Sequence, residues 1–546
     1  MSSKLRIIPL GGCGEIGKNM TVLEYDNQII VIDAGIMFPE NDMLGVDVII
    51  PDYTYLKANK EKVLALLLTH GHEDHVGAIN YFLDDFNVPV YGTPLTLGLA
   101  EVKLKRGRGA ERWQLRRIQA GGVFTIGPFM IEPFHMTHSI PDCVGFGITT
   151  PVGMVVFTGD YKFDQTPEDG WPPDFAKLAE FSARGVLCLV ADSTNAERPG
   201  WMRSEKTVSA AFDLLFANAR GRIIVATFAS HISRIQQVAS VAQRYGRKLA
   251  ITGRSMRDNT KMAQELGYLD LPDEMVIEVE KVNQYPPAEV AIVVTGTQGE
   301  PTSVLGRLAR GRHRNLEIQP GDTVVLSAHT IPGNEEMTHR IINGLIQRKA
   351  EVLYEGLADV HVSGHPSQEE MKLMINLVRP KFLIPVHGEL RHLVQHAKMA
   401  YQMGFQPNQV AVIENGTVVE LDKDSLTIGE RLPGGYVFIQ GGAVVDAGIS
   451  TIRDRERLAQ AGFFVAAIRL NSEAELLGEP GIVSEGFMDL SQEHELIQGV
   501  RETIARVAKV HGVSNRQLSG QMAGAIGRFL YAETGLRPQV YVIINN

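Results

Sequence analysis

The chain has 546 residues and a formal net charge of −10, which suits several domains and is no hallmark of a nucleic-acid binder, although local basic patches can still do that work. Hydrophobic residues make up 44% of it, ample for real cores and too many for a disordered chain. No apolar run reaches the ~18 residues of a membrane helix, the amino terminus lacks a signal peptide's long apolar stretch, and the three widely spaced cysteines suit a reducing cytoplasm better than a disulfide framework or a cysteine-rich zinc site.

In chain order, residues 1–10 read as a first strand that stops at Gly11-Gly12, and residues 28–35 as a second with Asp33 near its end. The apolar run 63–68 reads as a buried strand, and a helix-like pattern begins at Val76. Between them stands His70-Gly71-His72-Glu73-Asp74-His75. Neutral imidazole nitrogens and hard carboxylate oxygens at this density are what a divalent metal needs, and a loop at the carboxyl end of a strand is where open α/β sheets place chemistry. The bland alternative is a polar loop of hydrogen-bonded histidines. Further downstream, His138 lies in a polar turn, and the apolar strands 154–157 and 186–191 run into Asp160 and Asp192. Glu197-Arg198-Pro199-Gly200 then breaks the pattern.

From about residue 205 the texture becomes βαβ. Residues 222–228 form a strand, 232–245 a helix, and 291–295 and 323–327 two more buried strands, which predicts a parallel-sheet domain. Ser367 and Glu370 then form a capping box for a helix over 368–378, beside Gly364-His365. Such an amino terminus next to a histidine can hold a phosphate, although a plain helix cap is the simpler reading. Residues 381–386 form another apolar strand ending in His387. Because the strand-end ligands resume there, the metal-bearing core is expected to be discontinuous, covering 1–204 and 356–430 with an insertion at 205–355. Residues 431–462 read as the end of the core and a linker, and 463–546 as a small α+β domain. Two basic stretches stand out: residues 103–117 carry seven lysines and arginines, and 307–314 carry four arginines. Either can meet phosphates or simply face solvent.

The string from His70 to His75 resembles the H-x-H-x-D-H signature of the metallo-β-lactamase superfamily. Asp192, His365 and His387 resemble, in order, motifs A, B and C of its β-CASP branch, which cleaves nucleic acids. Residues 9–19, 158–164, 327–335 and 386–389 are similar to the bacterial ribonuclease J family. One departure concerns Phe228-Ala229-Ser230-His231-Ile232-Ser233-Arg234, where the family often reads Phe-Ala-Ser-Asn-x-His-Arg, so the histidine has moved.

The resemblance implies an α/β fold: a metallo-β-lactamase αββα sandwich with an inserted β-CASP parallel-sheet domain and a small α+β carboxy-terminal domain. It implies that His70 and His72 bind one metal, that Asp74 and His75 bind a second, that Asp160 bridges them, and that His138 and His387 complete the set. Asp33 would orient ligands without binding metal. Zn²⁺ suits these donors best, and Mn²⁺ also fits. Asp74, His365 and Asp192 would carry catalysis. Ser230, Ser233, His329, Gly364, His365 and Ser367 would contact RNA or its 5′ phosphate. The implied function is a ribonuclease acting 5′→3′ on 5′-monophosphorylated single-stranded RNA, with endonuclease activity, in cytoplasmic rRNA processing and mRNA decay. A homodimer or homotetramer, working with other RNA-decay proteins and no membrane, goes with it. Other hydrolases of the superfamily, such as thioesterases or lactonases, lack the inserted motifs. His387 disfavours a DNA nuclease, and an RNA-binding scaffold without catalysis would be free to lose ligands that are intact here.

Overall fold

The computed structural model describes residues 4–40, 42–106, 113–331, 333–444, 449–471, 476–489, 493–509 and 514–545. They fall into two compact units, one running to Phe38 and over Val48–Ile439, the other comprising Pro39–Asp47 and Gln440–Asn546.

The larger unit is built on two mixed sheets. The first has eight strands, in the order Leu426–Arg431, Thr417–Leu421, Leu5–Gly11, Met20–Tyr25, Gln28–Ile32, Val63–Leu67, Val90–Gly92 and Leu115–Arg117. The second has six, in the order Phe382–Val386, Val186–Asp192, Met154–Phe157, Val144–Thr149, Phe129–His135 and Phe124–Ile126. One apolar cluster joins their facing sides, with Ile7, Leu23, Ile30 and Leu67 against Phe146, Ile148, Val155 and Val190. Helices cover both outer faces: Phe82, Leu97 and Leu104 pack on the first sheet, and Leu178, Phe181, Met374 and Ala397 on the second. This is the αββα sandwich. Its central strands are buried on both faces, which is why they read as continuous apolar runs. Two pairings make it discontinuous in sequence. Leu5–Gly11 pairs with Thr417–Leu421, and Val186–Asp192 pairs in parallel with Phe382–Val386, setting Asp192 opposite Val386.

The intervening chain forms a six-stranded, all-parallel sheet with strand order Val276–Ile277, Lys248–Ile251, Val290–Val294, Ile223–Ala226, Thr323–Leu326 and Glu351–Leu353. Separate apolar clusters cover its two faces, as a parallel sheet requires. In the basic stretch at 103–117, Arg116 and Arg117 are exposed and Lys103 pairs with Glu73, while 107–112 lie outside the described residues. The four arginines of 307–314 are exposed.

The stretch 431–462, expected to be the end of the core and a linker, holds more structure than that. Residues of the strand Tyr436–Gln440 pair antiparallel with Val48–Pro51, and Ile449–Ala461 is a helix. The smaller unit has a three-stranded sheet, Gly481–Glu485, Phe463–Arg469 and Gln539–Asn545. Helices His494–Ala508 and Asn515–Thr534 pack on one face of it through Leu496, Val500, Ile504, Met522 and Ile526. Among the described residues no helix is long and apolar enough to cross a membrane. All three cysteines are buried and unpaired.

Candidate active site

The strand Val63–Leu67 delivers Thr69 and His70 to the open edge of the sandwich, and the short helix Glu73–Val76 presents Asp74 and His75. The strands Met154–Phe157, Val186–Asp192 and Phe382–Val386 deliver Asp160, Asp192 and His387. His387 adopts φ 54° and Asp33 φ 63°. This left-handed conformation costs an L-residue roughly 1–2 kcal/mol and turns each side chain sharply out of its strand.

Two groups of donors result. In the first, His70 Nε2 and His138 Nε2 each lie 3.1 Å from His72 Nδ1. In the second, Asp74 Oδ2 lies 3.3 Å from His387 Nε2 and 3.6 Å from His75 Nε2. Asp160 Oδ2 stands between them, 3.1 Å from His75 Nε2, 3.7 Å from His70 Nε2 and 3.9 Å from His138 Nε2. All seven candidate ligands thus fall into two clusters, each with its donor atoms within 4.8 Å of one another, and a third such cluster, Asp160, Asp192, His365 and His387, shares Asp160 and His387 with the second.

Hydrogen bonds on the far side of His70, His75, His138 and His387 orient four of the five rings. His75 Nδ1 donates to Asp33 Oδ2 at 2.7 Å, and Asp33 also accepts the Thr69 amide and hydroxyl at 2.8 Å. The Thr69 oxygen lies 3.0 Å from His70 Nδ1. His138 Nδ1 donates to the carbonyl of Gly364 at 2.8 Å, and His387 Nδ1 to the Thr194 hydroxyl at 2.7 Å. With these outer nitrogens so engaged, the inner nitrogens of His70, His138, His75 and His387 all face the donor clusters. His365 hangs beside this set, with Nδ1 2.8 Å from Asp192 Oδ2. Asp192 Oδ1 accepts the Thr194 amide at 2.9 Å and its hydroxyl at 2.8 Å.

This donor set fits a pair of divalent metals. Three inward lone pairs at His70, His72 and His138 repel one another unless a cation lies among them, and Asp160 has an oxygen within reach of both groups. Charge supports the fit. Burial, helped by neighbouring imidazoles, holds His70 and His138 well below the usual imidazole range, and burial pushes His72 down to about 4, so these rings are neutral ligands. Burial acts the same way on His75 and His387, but Asp160, Asp74 and their neighbours outweigh it. They hold His75 well above the usual range and raise His387 to about 10. Asp74 and Asp160 stay below the usual carboxylate range against their burial because of these rings. Metal ligation must displace the protons of His75 and His387. We therefore expect loading at neutral pH to release about two protons per chain and to tighten as pH rises towards the pKa of those rings. Calorimetric titration of Zn²⁺ in two buffers of different ionisation enthalpy reads this directly; loading without proton release would contradict it. Asp33→Ala, which frees the outer face of His75, is expected to weaken metal affinity about 10- to 100-fold, as measured by competition with a chromophoric chelator.

The phosphate-contacting candidates are less united. Gly364 uses its carbonyl to hold His138, and a Cβ there would meet that ring at 2.6 Å. Ser367 is fully buried at the head of helix Gln368–Val378, where its amide donates to Glu370 Oε2 at 2.8 Å. Ser230 is buried, Ser233 half-buried, and His329 is exposed and bonded to Glu355 at 2.7 Å. No hydrogen bond among the described residues joins these serines and His329 to one another. Sequence reasoning missed Thr194, which joins Asp192 to His387; the signal was an aspartate two residues before a threonine at a strand end, the pattern of an Asx turn.

A sandwich that collects imidazoles and carboxylates from its strand ends, with a parallel-sheet domain spliced in ahead of the last of them, defines a metal-dependent hydrolase of the metallo-β-lactamase superfamily. Residues 13–192 match the metallo-beta-lactamase superfamily, and residues 349–410 match the Zn-dependent metallo-hydrolase RNA specificity domain. Residues 220–345 match the ribonuclease J beta-CASP domain, and 450–546 the ribonuclease J C-terminal domain. Ribonuclease J2 of Bacillus subtilis is 42% identical, the alignment covering 100% of this chain and 99% of that one. Ribonuclease J of Thermus thermophilus is 41% identical over 99% of this chain and 95% of its own. Ribonuclease J of Helicobacter pylori is 40% identical over 94% and 75%. The chain belongs to the ribonuclease J family and is a metal-dependent ribonuclease. A protein of unknown function from Enterococcus faecalis V583 superposes with a TM-score of 0.52 at 13% identity, over 78% of this chain and 100% of that one, a likeness of fold alone.

Proposed function

We propose that this ribonuclease removes nucleotides 5′→3′ from single-stranded RNA bearing a 5′ monophosphate and also cuts internally, using two divalent metals. Zn²⁺ suits the donors best, and Mn²⁺ is an alternative that carboxylate-rich sites accept. Cytoplasmic rRNA processing and mRNA decay, by a homodimer or homotetramer, belong to the same reading. The observation that carries it is the Asp192–His365 pair set against the Asp160 carboxylate, whose Oδ2 lies 3.9 Å from His365 Nδ1.

When bound, the two ions supply charge neutralisation for the phosphodiester and activation of the attacking water. The chain's own residues do the rest. His70, His72, Asp74, His75, His138, Asp160 and His387 hold the ions, and Asp33, Thr69, Thr194 and the Gly364 carbonyl fix the ring orientations. Burial disfavours a charged His365, but Asp192 and Asp160 outweigh it and raise its pKa. A charged ring can hold a phosphate oxygen or deliver a proton to the 3′ leaving oxygen. Asp192 acts through His365 by fixing its ring. Exposed arginines such as Arg307, Arg310, Arg312 and Arg314 suit the RNA backbone.

A single-stranded RNA labelled at its 3′ end tests the finer claims. It is offered with a 5′ monophosphate or a 5′ triphosphate, beside the matching DNA, under Zn²⁺ or Mn²⁺. Mononucleotides released from the monophosphorylated RNA are expected, with the triphosphate resisting attack from its end. Equal degradation of both RNAs from the 5′ end would reject the 5′-monophosphate preference.

A further inference from the structure

Four charged side chains that are not among the metal donors are buried together: Arg234 at 0% exposure, Lys162 at 1%, Glu205 at 3% and Asp164 at 4%. Their charges balance. Arg234 Nη2 donates to Glu205 Oε2 at 2.7 Å, and its Nη1 donates to the Val360 carbonyl at 2.6 Å and to the Ser327 hydroxyl. Ser327 also donates to Val360 O at 2.6 Å. Lys162 Nζ lies 3.4 Å from Glu205 Oε1 and 3.7 Å from Asp164 Oδ2. Asp164 Oδ2 in turn accepts the Glu205 amide at 2.9 Å.

Where these residues stand in the chain matters more than how many bonds they make. Glu205 heads Lys206–Asn218, the first helix of the inserted domain. Val360 lies after the last strand of that domain, Glu351–Leu353, on the segment that leads back to Gly364 and His365. Arg234 sits in the insertion's own helix Ile232–Arg244, and Ser327 at the end of its strand Thr323–Leu326. One guanidinium therefore ties together both crossings between the two domains. Lys162 carries the tie into the metal-bearing core. Its amide donates to Thr137 O at 2.8 Å and its carbonyl accepts the Thr137 hydroxyl at 2.6 Å, and these two residues flank His138 and Asp160.

We propose that Arg234, Glu205 and Lys162 form a positioning clamp that fixes the inserted domain against the metal-bearing core and so sets the path of the RNA strand. Stability alone would not call for it. A buried ionic cluster is often repaid no better than well-packed apolar side chains of the same volume, and in several systems what it adds is one permitted geometry. A guanidinium with its donors in a fixed plane specifies direction as well as distance. Burial works against a charged Glu205, yet Arg234 and Lys162 keep its pKa below the ordinary value. The inference rests on the assignment of the metal face as the RNA-cleaving centre.

Arg234→Lys and Glu205→Gln, in the full chain, test it. Each variant is checked for its melting temperature and metal content, then assayed on a single-stranded RNA, and the metal-free protein is titrated with the same RNA. We expect full metal content, KM raised about ten-fold or more with RNA affinity weakened to match, and kcat within about three-fold of the parent. Parental KM and affinity in both variants would overturn the clamp, as would a fall in kcat and metal content at constant KM. Glu205→Gln keeps the side chain's shape while removing its charge and one of its two acceptor oxygens, so it carries the test should Arg234→Lys not fold. A failure of the RNA assignment would show in the parent's own titration, a failure of the clamp only in the variants.

Discussion

Asp74→Ala and His75→Ala are each expected to lower RNA turnover by at least about 10³-fold, a loss of roughly 4 kcal/mol of transition-state stabilisation at 1.36 kcal/mol per factor of ten. Both side chains face the same cluster, with Asp74 Oδ2 3.6 Å from His75 Nε2 and 3.3 Å from His387 Nε2. Removing either leaves an incomplete cage and strands buried charges that had been balanced. Asp33, for instance, would face a cavity where His75 Nδ1 now donates at 2.7 Å. RNA affinity should stay within about three-fold, because backbone phosphates are held by basic side chains elsewhere. Turnover and binding are measured on the same 3′-labelled RNA. Unchanged turnover in either variant would sink the assignment of this cluster as the metal site.

His365→Ala is the second large effect, expected to cost about 10²- to 10⁴-fold in kcat, the usual worth of a general acid. Metal content should be retained, because the seven donors do not include this ring. Asp192→Asn should cost less than His365→Ala but act on the same step. It leaves the 2.8 Å contact to His365 Nδ1 sterically intact and removes the charge that keeps the ring protonated. The two substitutions together should therefore cost little more than His365→Ala alone, since residues that act as a unit are not additive. Full additivity would mean that Asp192 does not work through His365.

The strand-end donors were legible because each follows an apolar run that can only be a buried strand, and a side chain just past such a strand must emerge at the sheet's carboxyl edge. The expectation of a discontinuous core came from the strand-end ligands resuming at His387, and the strand before His387 pairs in parallel with Val186–Asp192, setting Asp192 opposite Val386. What stayed hidden was what depends on a second segment. Gly364 looked like part of a phosphate cradle and instead lends its carbonyl to His138. Ser367, expected to meet a phosphate, is buried at the head of its helix. Thr194 and the Glu205–Arg234–Lys162 tie are ordinary residues in sequence, and only the fold makes them neighbours. The helix Ile449–Ala461 escaped notice because its charged residues read as linker and it buries little.

Diffraction from crystals soaked in Zn²⁺ or Mn²⁺, recorded at the metal's absorption edge, locates the ions themselves. Two anomalous peaks per chain are expected about 3.5–4 Å apart, one among His70, His72 and His138 and the other among Asp74, His75 and His387, with Asp160 touching both. A chain that cleaves RNA while holding at saturation a single ion, or ions bound outside these residues, would contradict the two-metal assignment.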